Sequence, residues 1–250
     1  MSLAQRIHDQ LTARFMKGML ATPRGRAHVL NQVADAEATD EGAIFDRLLL
    51  HVTDPKLRQM IERHRADELR HARMFLGCLE RTGIAPHAVP RELKLLDRID
   101  SLAGHIMDKP VRSDEDVMNA YLMLLVIEER AIRQFTGFIA AFEAVDRQTA
   151  DVFRAIADDE ERHLLYCHAI SKRYAPDEVA WERELKRFRA LEERAFSDNT
   201  VANMDYTFAH GLHAAGPVEQ LLWRSVTSLS ARARRLAPRL SSFELAAAAR

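Results

Sequence analysis

Two short stretches decide how this chain reads: Asp67-Glu68-Leu69-Arg70-His71 and Asp159-Glu160-Glu161-Arg162-His163. They lie 92 residues apart, and the same offset relates the upstream turn residues Asp54 and Asp146, each 14 residues before its glutamate. Each stretch holds a Glu-x-x-His inside a long helical pattern. Residues i and i+3 share a helix face, so the carboxylate and the imidazole can bind one ion together. One such motif is common by chance. Two in the same register, each in the second helix of a hairpin, are specific.

Outward from these stretches, apolar residues recur with a helical period at Leu30, Val33, Ile44, Leu48 and Val52, with Glu37 as an acidic interloper on the same face. Thr53-Asp54-Pro55 restarts the chain into a helix expected to run to about Arg81, where Thr82-Gly83-Ile84-Ala85-Pro86 stops it. The connection 82–113 carries three prolines and a short helix near 91–106. Long patterns follow over about 114–144 and, after the break at Val145-Asp146-Arg147, to about Tyr174. Two tight hairpins joined by a long connection predict an antiparallel four-helix bundle with a single crossover. An N-terminal helix, closed by Thr22-Pro23-Arg24-Gly25, occupies 1–25; the bundle occupies 26–174. A helical extension of two or three shorter helices fills 175–250.

Composition agrees with an all-α chain. Only 9 Gly and 8 Pro in 250 residues leave too few turns for a β-sandwich or barrel, and at this length a core buries roughly 70–75% of the unfolded surface. A net charge of −1 and a pI near 6.8 give no basic footprint, so no nucleic-acid partner is expected. Cys78 and Cys167 cannot build a disulfide framework and read as small core residues. The apolar run Tyr121 to Ile127 is far short of a membrane span. The N-terminus has no secretory pattern, so the expectation is a soluble cytoplasmic protein.

A metal pair in such a bundle also needs one glutamate from the first helix of each hairpin. Glu37 lies 31 residues before Glu68, whereas Glu41 lies nearer the bundle end. In the third helix the repeat offset favours Glu129. The helical wheel favours Glu128, because Tyr121, Leu124, Leu125, Ile132, Phe135, Ile139 and Phe142 surround its direction and Glu129 points about 100° away. The reading takes Glu128.

The set Glu37, Glu68, His71, Glu128, Glu160 and His163 resembles the six ligands of the ferritin-like di-iron carboxylate superfamily, which includes rubrerythrins, bacterioferritins and di-iron oxygenases. The resemblance covers roughly residues 26–174. It implies that Glu68 and Glu160 bridge or chelate a metal pair, that Glu37 and Glu128 supply the other carboxylates, and that His71 and His163 give one nitrogen per metal. In oxygenases with a similar Asp-Glu-x-Arg-His run the Asp supports a ligand histidine and the Arg supports the Asp, which implies that role for Asp67, Asp159, Arg70 and Arg162. A ligand imidazole does need its other N–H fixed by an acceptor. Four carboxylates and two imidazoles suit two iron ions, or alternatively a Mn/Fe pair, better than zinc.

Other polar residues read as structural. His51, His64, His210 and His213 are taken as structural or exposed, although His64 lies one turn before Glu68; its repeat partner is Ile156. Tyr121 and Tyr166 read as core tyrosines, and Arg232, Arg234, Arg235 and Arg239 as a solvated tail.

The function implied is a di-metal oxidase or oxygenase that activates O2 or H2O2, draws on an external electron donor and oxidises a small organic substrate. Ile44, Leu48, Ile132 and Phe135 would shape its cavity. A rubrerythrin-like peroxide reductase is the alternative, although the chain has no Cys-x-x-Cys module. A ferroxidase of the ferritin type is a third reading. Trp181, Leu185, Phe188, Leu191 and Phe196 form an apolar stripe that must bury against the bundle or a second subunit, and a homodimer is expected.

Overall fold

The computed structural model describes residues 13–38 and 41–229 and, among them, is entirely helical, without strands. A helix over 13–20 (α1) leads into α2 (Pro23–Ala38), α3 (Glu41–His51) and α4 (Pro55–Glu80). A 3-10 turn (Arg91–Leu93) and α5 (Leu95–Ala103) interrupt the connection, and α6 (Asp114–Glu143), α7 (Arg147–Arg173), α8 (Glu178–Ala209) and a helix over 217–229 (α9) complete the described residues. No helix among the described residues is long and apolar enough to cross a membrane. The tail arginines Arg232, Arg234, Arg235 and Arg239, and the first half of the N-terminal helix, lie outside the described residues.

Side-chain caps set the helix starts. The Asp54 carboxylate accepts from the Lys56 and Leu57 amides ahead of Pro55 in the first turn of α4, Asp146 accepts from Thr149 N to open α7, and Asp177 accepts from Ala180 N to open α8. Ser113 and Asp116 form a capping box on α6. One turn differs from expectation. The break after α1 is confined to residues 21–22, because Thr22 Oγ1 accepts from the Gly25 amide at 2.9 Å and Pro23 takes the first helical position.

Packing orders the helices around two apolar clusters. One includes Phe45, Leu48, Ile61, Tyr121, Leu125, Cys167 and Ile170; the other includes Leu30, Phe75, Phe135, Phe142 and Phe153. Along α4 the chain passes from Ile61 in the first to Phe75 in the second, and α6 runs the same way from Leu125 to Phe135. Along α7 it runs back, from Phe153 to Cys167, and the α2–α3 segment likewise from Leu30 to Leu48. The long connection therefore carries the chain back so that α4 and α6 point the same way. Helices α6 and α7 pack closely, as do α2 with α4, α3 with α4, and α4 with α7.

Among the described residues, the C-terminal region is one long helix and a shorter one, where two or three shorter helices were expected. Helix α8 lies on α5, α6 and α7. The stripe finds its partner within the chain: Trp181, Leu185 and Phe188 are buried in the first cluster, with Leu191 packed against it, while Phe196 lies under the Arg130 guanidinium, 3.8 Å from the ring centre. Arg130 binds Glu192 with two hydrogen bonds of 2.6 and 2.9 Å, tying α8 to α6 two residues from Glu128. Helix α9 returns to α1, where Phe15 meets Trp223 and Phe208 edge to face.

Candidate metal centre

Between the two apolar clusters lies a layer of buried charge. His71 and His163 are wholly buried, and Glu68, Glu128 and Glu160 nearly so; the Glu37 side chain is 11% exposed. All six residues singled out from the sequence meet in this layer. Each arrives there because Glu-x-x-His on α4 and α7 projects glutamate and histidine from one face, while Glu37 and Glu128 replace an apolar residue on the buried stripes of α2 and α6.

Their donor atoms fall into two groups, each with all atoms within 4.8 Å of one another. One comprises Glu37, Glu68, His71 and Glu160; the other comprises His64, Glu68, Glu128 and His163. Glu68 belongs to both. Glu160 also faces both ways, with Oε1 3.2 Å from His71 Nδ1 and Oε2 2.8 Å from His163 Nδ1. Glu37 Oε2 stands 3.5 Å from His71 Nδ1, and Glu128 Oε1 stands 3.6 Å from His163 Nδ1. Ligands about 2.1 Å from one ion are separated by about 3.0 Å when cis in an octahedron and about 3.4 Å in a tetrahedron. These separations match that spacing.

Of the two glutamates weighed in the third helix, Glu128 is the one that reaches the layer. Glu129 points to the surface of α6 and accepts from Arg189 on α8, at 3.1 Å from its Nε. The helical wheel thus outweighs the repeat offset, because the extra residue before the Asp146 turn shifts α6 by one position.

Behind the two histidines stands a ring of four charges. Arg70 binds Asp67 at 2.9 Å and also Asp159; Arg162 binds Asp67 at 2.7 Å and Asp159 at 2.6 Å. The aspartates serve the opposite helix: Asp159 Oδ2 is 3.3 Å from His71 Nε2, and Asp67 Oδ2 is 3.5 Å from His163 Nε2. A proton held on Nε2 leaves the Nδ1 lone pair aimed into the glutamate layer. Burial disfavours charge on both aspartates, but the two arginines outweigh it and hold each carboxyl below its usual range.

The glutamate layer pulls protons in. Burial opposes charge on His71, yet its hydrogen bonds to Glu160 and Glu37 push it up to about 10. His163, beside Glu128 and Glu160, is pushed up to about 11 despite burial. Burial, then the Glu128 charge, raises Glu160. Three buried carboxylates and the partly buried Glu37 need positive charge close by, which bound cations would supply while displacing those protons. The donor set therefore fits a pair of metal ions.

His64, read from the sequence as structural or exposed, lies inside the second group. It is wholly buried, with Nε2 3.0 Å from Glu128 Oε1 and 3.4 Å from Glu68 Oε1. The signal was its i, i+4 spacing to Glu68 and i, i+7 spacing to His71; the mismatch with Ile156 hid it. The other histidines fall elsewhere: His51 faces Asp114, His210 stacks on Tyr206, and His213 faces the Phe15 carbonyl. Tyr121 is buried in the first apolar cluster and Tyr166 packs against it, its ring centre 6.4 Å from that of His163. Ile44 and Leu48 belong to one flanking cluster and Phe135 to the other. Cys78 and Cys167 are buried and are not joined in a disulfide. The side chain of Glu41 lies outside the described residues. A third acidic group, Asp100, His105 and Asp108, sits at the C-terminal end of α5 with His105 and Asp108 exposed. Compared with protein-family models, curated proteins and solved structures, the chain matches none.

Proposed function

We propose that this chain is a ferritin-like four-helix bundle, built from α2–α3, α4, α6 and α7, that holds two metal ions and acts as a non-haem di-metal oxidoreductase. The observation that carries the proposal is the pair of buried donor groups sharing Glu68 and flanked by Glu160, which faces a histidine with each oxygen. Two iron ions suit the carboxylate-rich donor set, with Mn/Fe as the alternative. When bound, such a pair supplies the electrons and Lewis acidity that activate O2 or H2O2 toward an organic substrate.

The chain's own residues have definable tasks. Glu68 and Glu160 span the two positions, and Glu37 and Glu128 close the ends. Asp159 and Asp67 keep His71 and His163 in the tautomer that offers Nδ1. The apolar clusters above and below exclude water, which strengthens every interaction in the layer. The Arg130–Glu192 pair and the buried stripe of α8 fix α6 from the side opposite Glu128.

The test is metal analysis of aerobically purified protein, followed by O2 uptake after anaerobic loading with ferrous iron. About two metals per chain in a small oligomer, with O2 consumed in proportion, is the expected result. A shell of many subunits taking up tens of irons per chain would instead establish a ferritin-type ferroxidase. A chain without stoichiometric metal would refute both.

A further inference from the structure

The relation between α4 and α7 breaks at one position inside the site. Ninety-two residues on from His64 stands Ile156, which packs in the second apolar cluster. His64 instead stacks on His163, with ring centres 4.0 Å apart and planes 29° apart, and its other side meets Phe45 at 4.8 Å. Its Nε2 lies 3.0 Å from Glu128 Oε1 and 3.4 Å from Glu68 Oε1, and those two oxygens lie 3.6 and 3.0 Å from His163 Nδ1. Two nitrogens and two oxygens thus converge at ligand spacing. Around His71 the matching group has one nitrogen and three carboxylates.

Building on the dinuclear reading, we infer that His64 is a seventh ligand and that it makes the two metal positions chemically unequal. The position bounded by His64, His163, Glu68 and Glu128 is rich in nitrogen. Imidazole favours the later first-row dications, so this position binds Fe(II), Co(II) or Zn(II) first and tightly. The position bounded by His71, Glu37, Glu68 and Glu160 is rich in oxygen; it fills second and accepts Mn(II) more readily. A chain offered both metals would therefore load them in order. His64 differs from His71 and His163 in the nitrogen that faces away from the carboxylates: Nε2 of His71 and of His163 meets Asp159 and Asp67, whereas Nδ1 of His64 is buried without a hydrogen-bond partner among the described residues. Stacking against His163 and Phe45, in place of a carboxylate, orients its ring.

The experiment is an anaerobic titration of the full chain with Co(II), followed by visible absorption and by proton NMR. Wild type is expected to bind two Co(II) in resolved steps at least about tenfold apart in Kd. At one equivalent, two exchangeable hyperfine-shifted imidazole N–H signals should appear, from His64 and His163. His64→Ala should weaken the first step by about 100-fold and merge the two. His64→Gln, which can still hydrogen-bond Glu128, should lose as much. Two equal steps, or a single shifted N–H at one equivalent, would overturn the inference and leave the dinuclear reading standing. So would a His64→Gln variant that keeps the first affinity within about threefold. A wild-type chain that binds no Co(II) would overturn both. The NMR count is made on wild type, so it decides the matter even if the variants do not fold.

Discussion

The support of each ligand histidine by the opposite helix leads to a specific expectation. Asp67 stands beside His71 in sequence, one turn away on α4, but its carboxylate reaches His163 on α7, while Asp159 reaches His71. Asp67→Ala should therefore damage the position served by His163, and Asp159→Ala the one served by His71. Loss of a carboxylate behind a ligand imidazole costs about 10–100-fold in metal affinity. The contacts here, 3.5 and 3.3 Å, are longer than the usual 2.7–3.2 Å. The effect should then lie near the lower end, about tenfold or about 1.4 kcal/mol, and be slightly larger for Asp159. Fold stability should fall by about 1 kcal/mol, because the Arg70 and Arg162 side chains are 41% and 26% exposed and solvent screens the ring. The assay is a double-mutant cycle read by Co(II) titration against a competing chelator, with thermal melts as the control for folding. Asp67→Ala in a His163→Ala background should add almost nothing, whereas in a His71→Ala background it should have its full effect. Coupling of Asp67 to His71 in place of His163 would refute the crossed arrangement.

Three further outcomes follow from the same coordinates. Glu128→Ala is expected to leave fewer than two metals per chain, whereas Glu129→Ala should retain two, since that carboxylate faces Arg189 outside the layer; elemental analysis of both variants decides. In chelator-treated protein His71 and His163 have folded pKa values of about 10 and about 11, above an unfolded value of about 6.5. Their contribution to stability is then fully present below about pH 6.5 and lost as pH rises through those values, so the melting temperature should fall toward pH 11. A rise over pH 9–11 would contradict this assignment, and metal loading at pH 7 should release protons into a weakly buffered solution. Gly25→Ala would place a methyl 2.1 Å from the Met19 carbonyl oxygen and 2.3 Å from that of Leu212. Both are backbone atoms that cannot swing aside, so a loss of about 1–3 kcal/mol is expected in denaturant unfolding.

The long helices were legible in the sequence because their signals are local. Pro55 after Asp54, the Asp146 break and the apolar periodicity of 114–143 act within a turn or two of the residues they govern. The candidate ligands were legible for a related reason: a carboxylate on an apolar stripe, as at Glu37 and Glu128, is costly unless something binds it, and the sequence pattern alone shows that cost. Even the choice of Glu128 over Glu129 needed only the direction of the stripe. Three features needed the folded chain. The crossed pairing of Asp67 with His163 and of Asp159 with His71 depends on how α4 and α7 face each other, and both partners have equally good neighbours on their own helix. The burial of the Trp181–Phe188 stripe within the same chain depends on where α8 lies across α5, α6 and α7, which helical spacing does not specify. His64 was obscured by the repeat itself. Comparison with Ile156 treats the two halves as equal, and it is the packing of His64 between Phe45 and His163 that makes them differ.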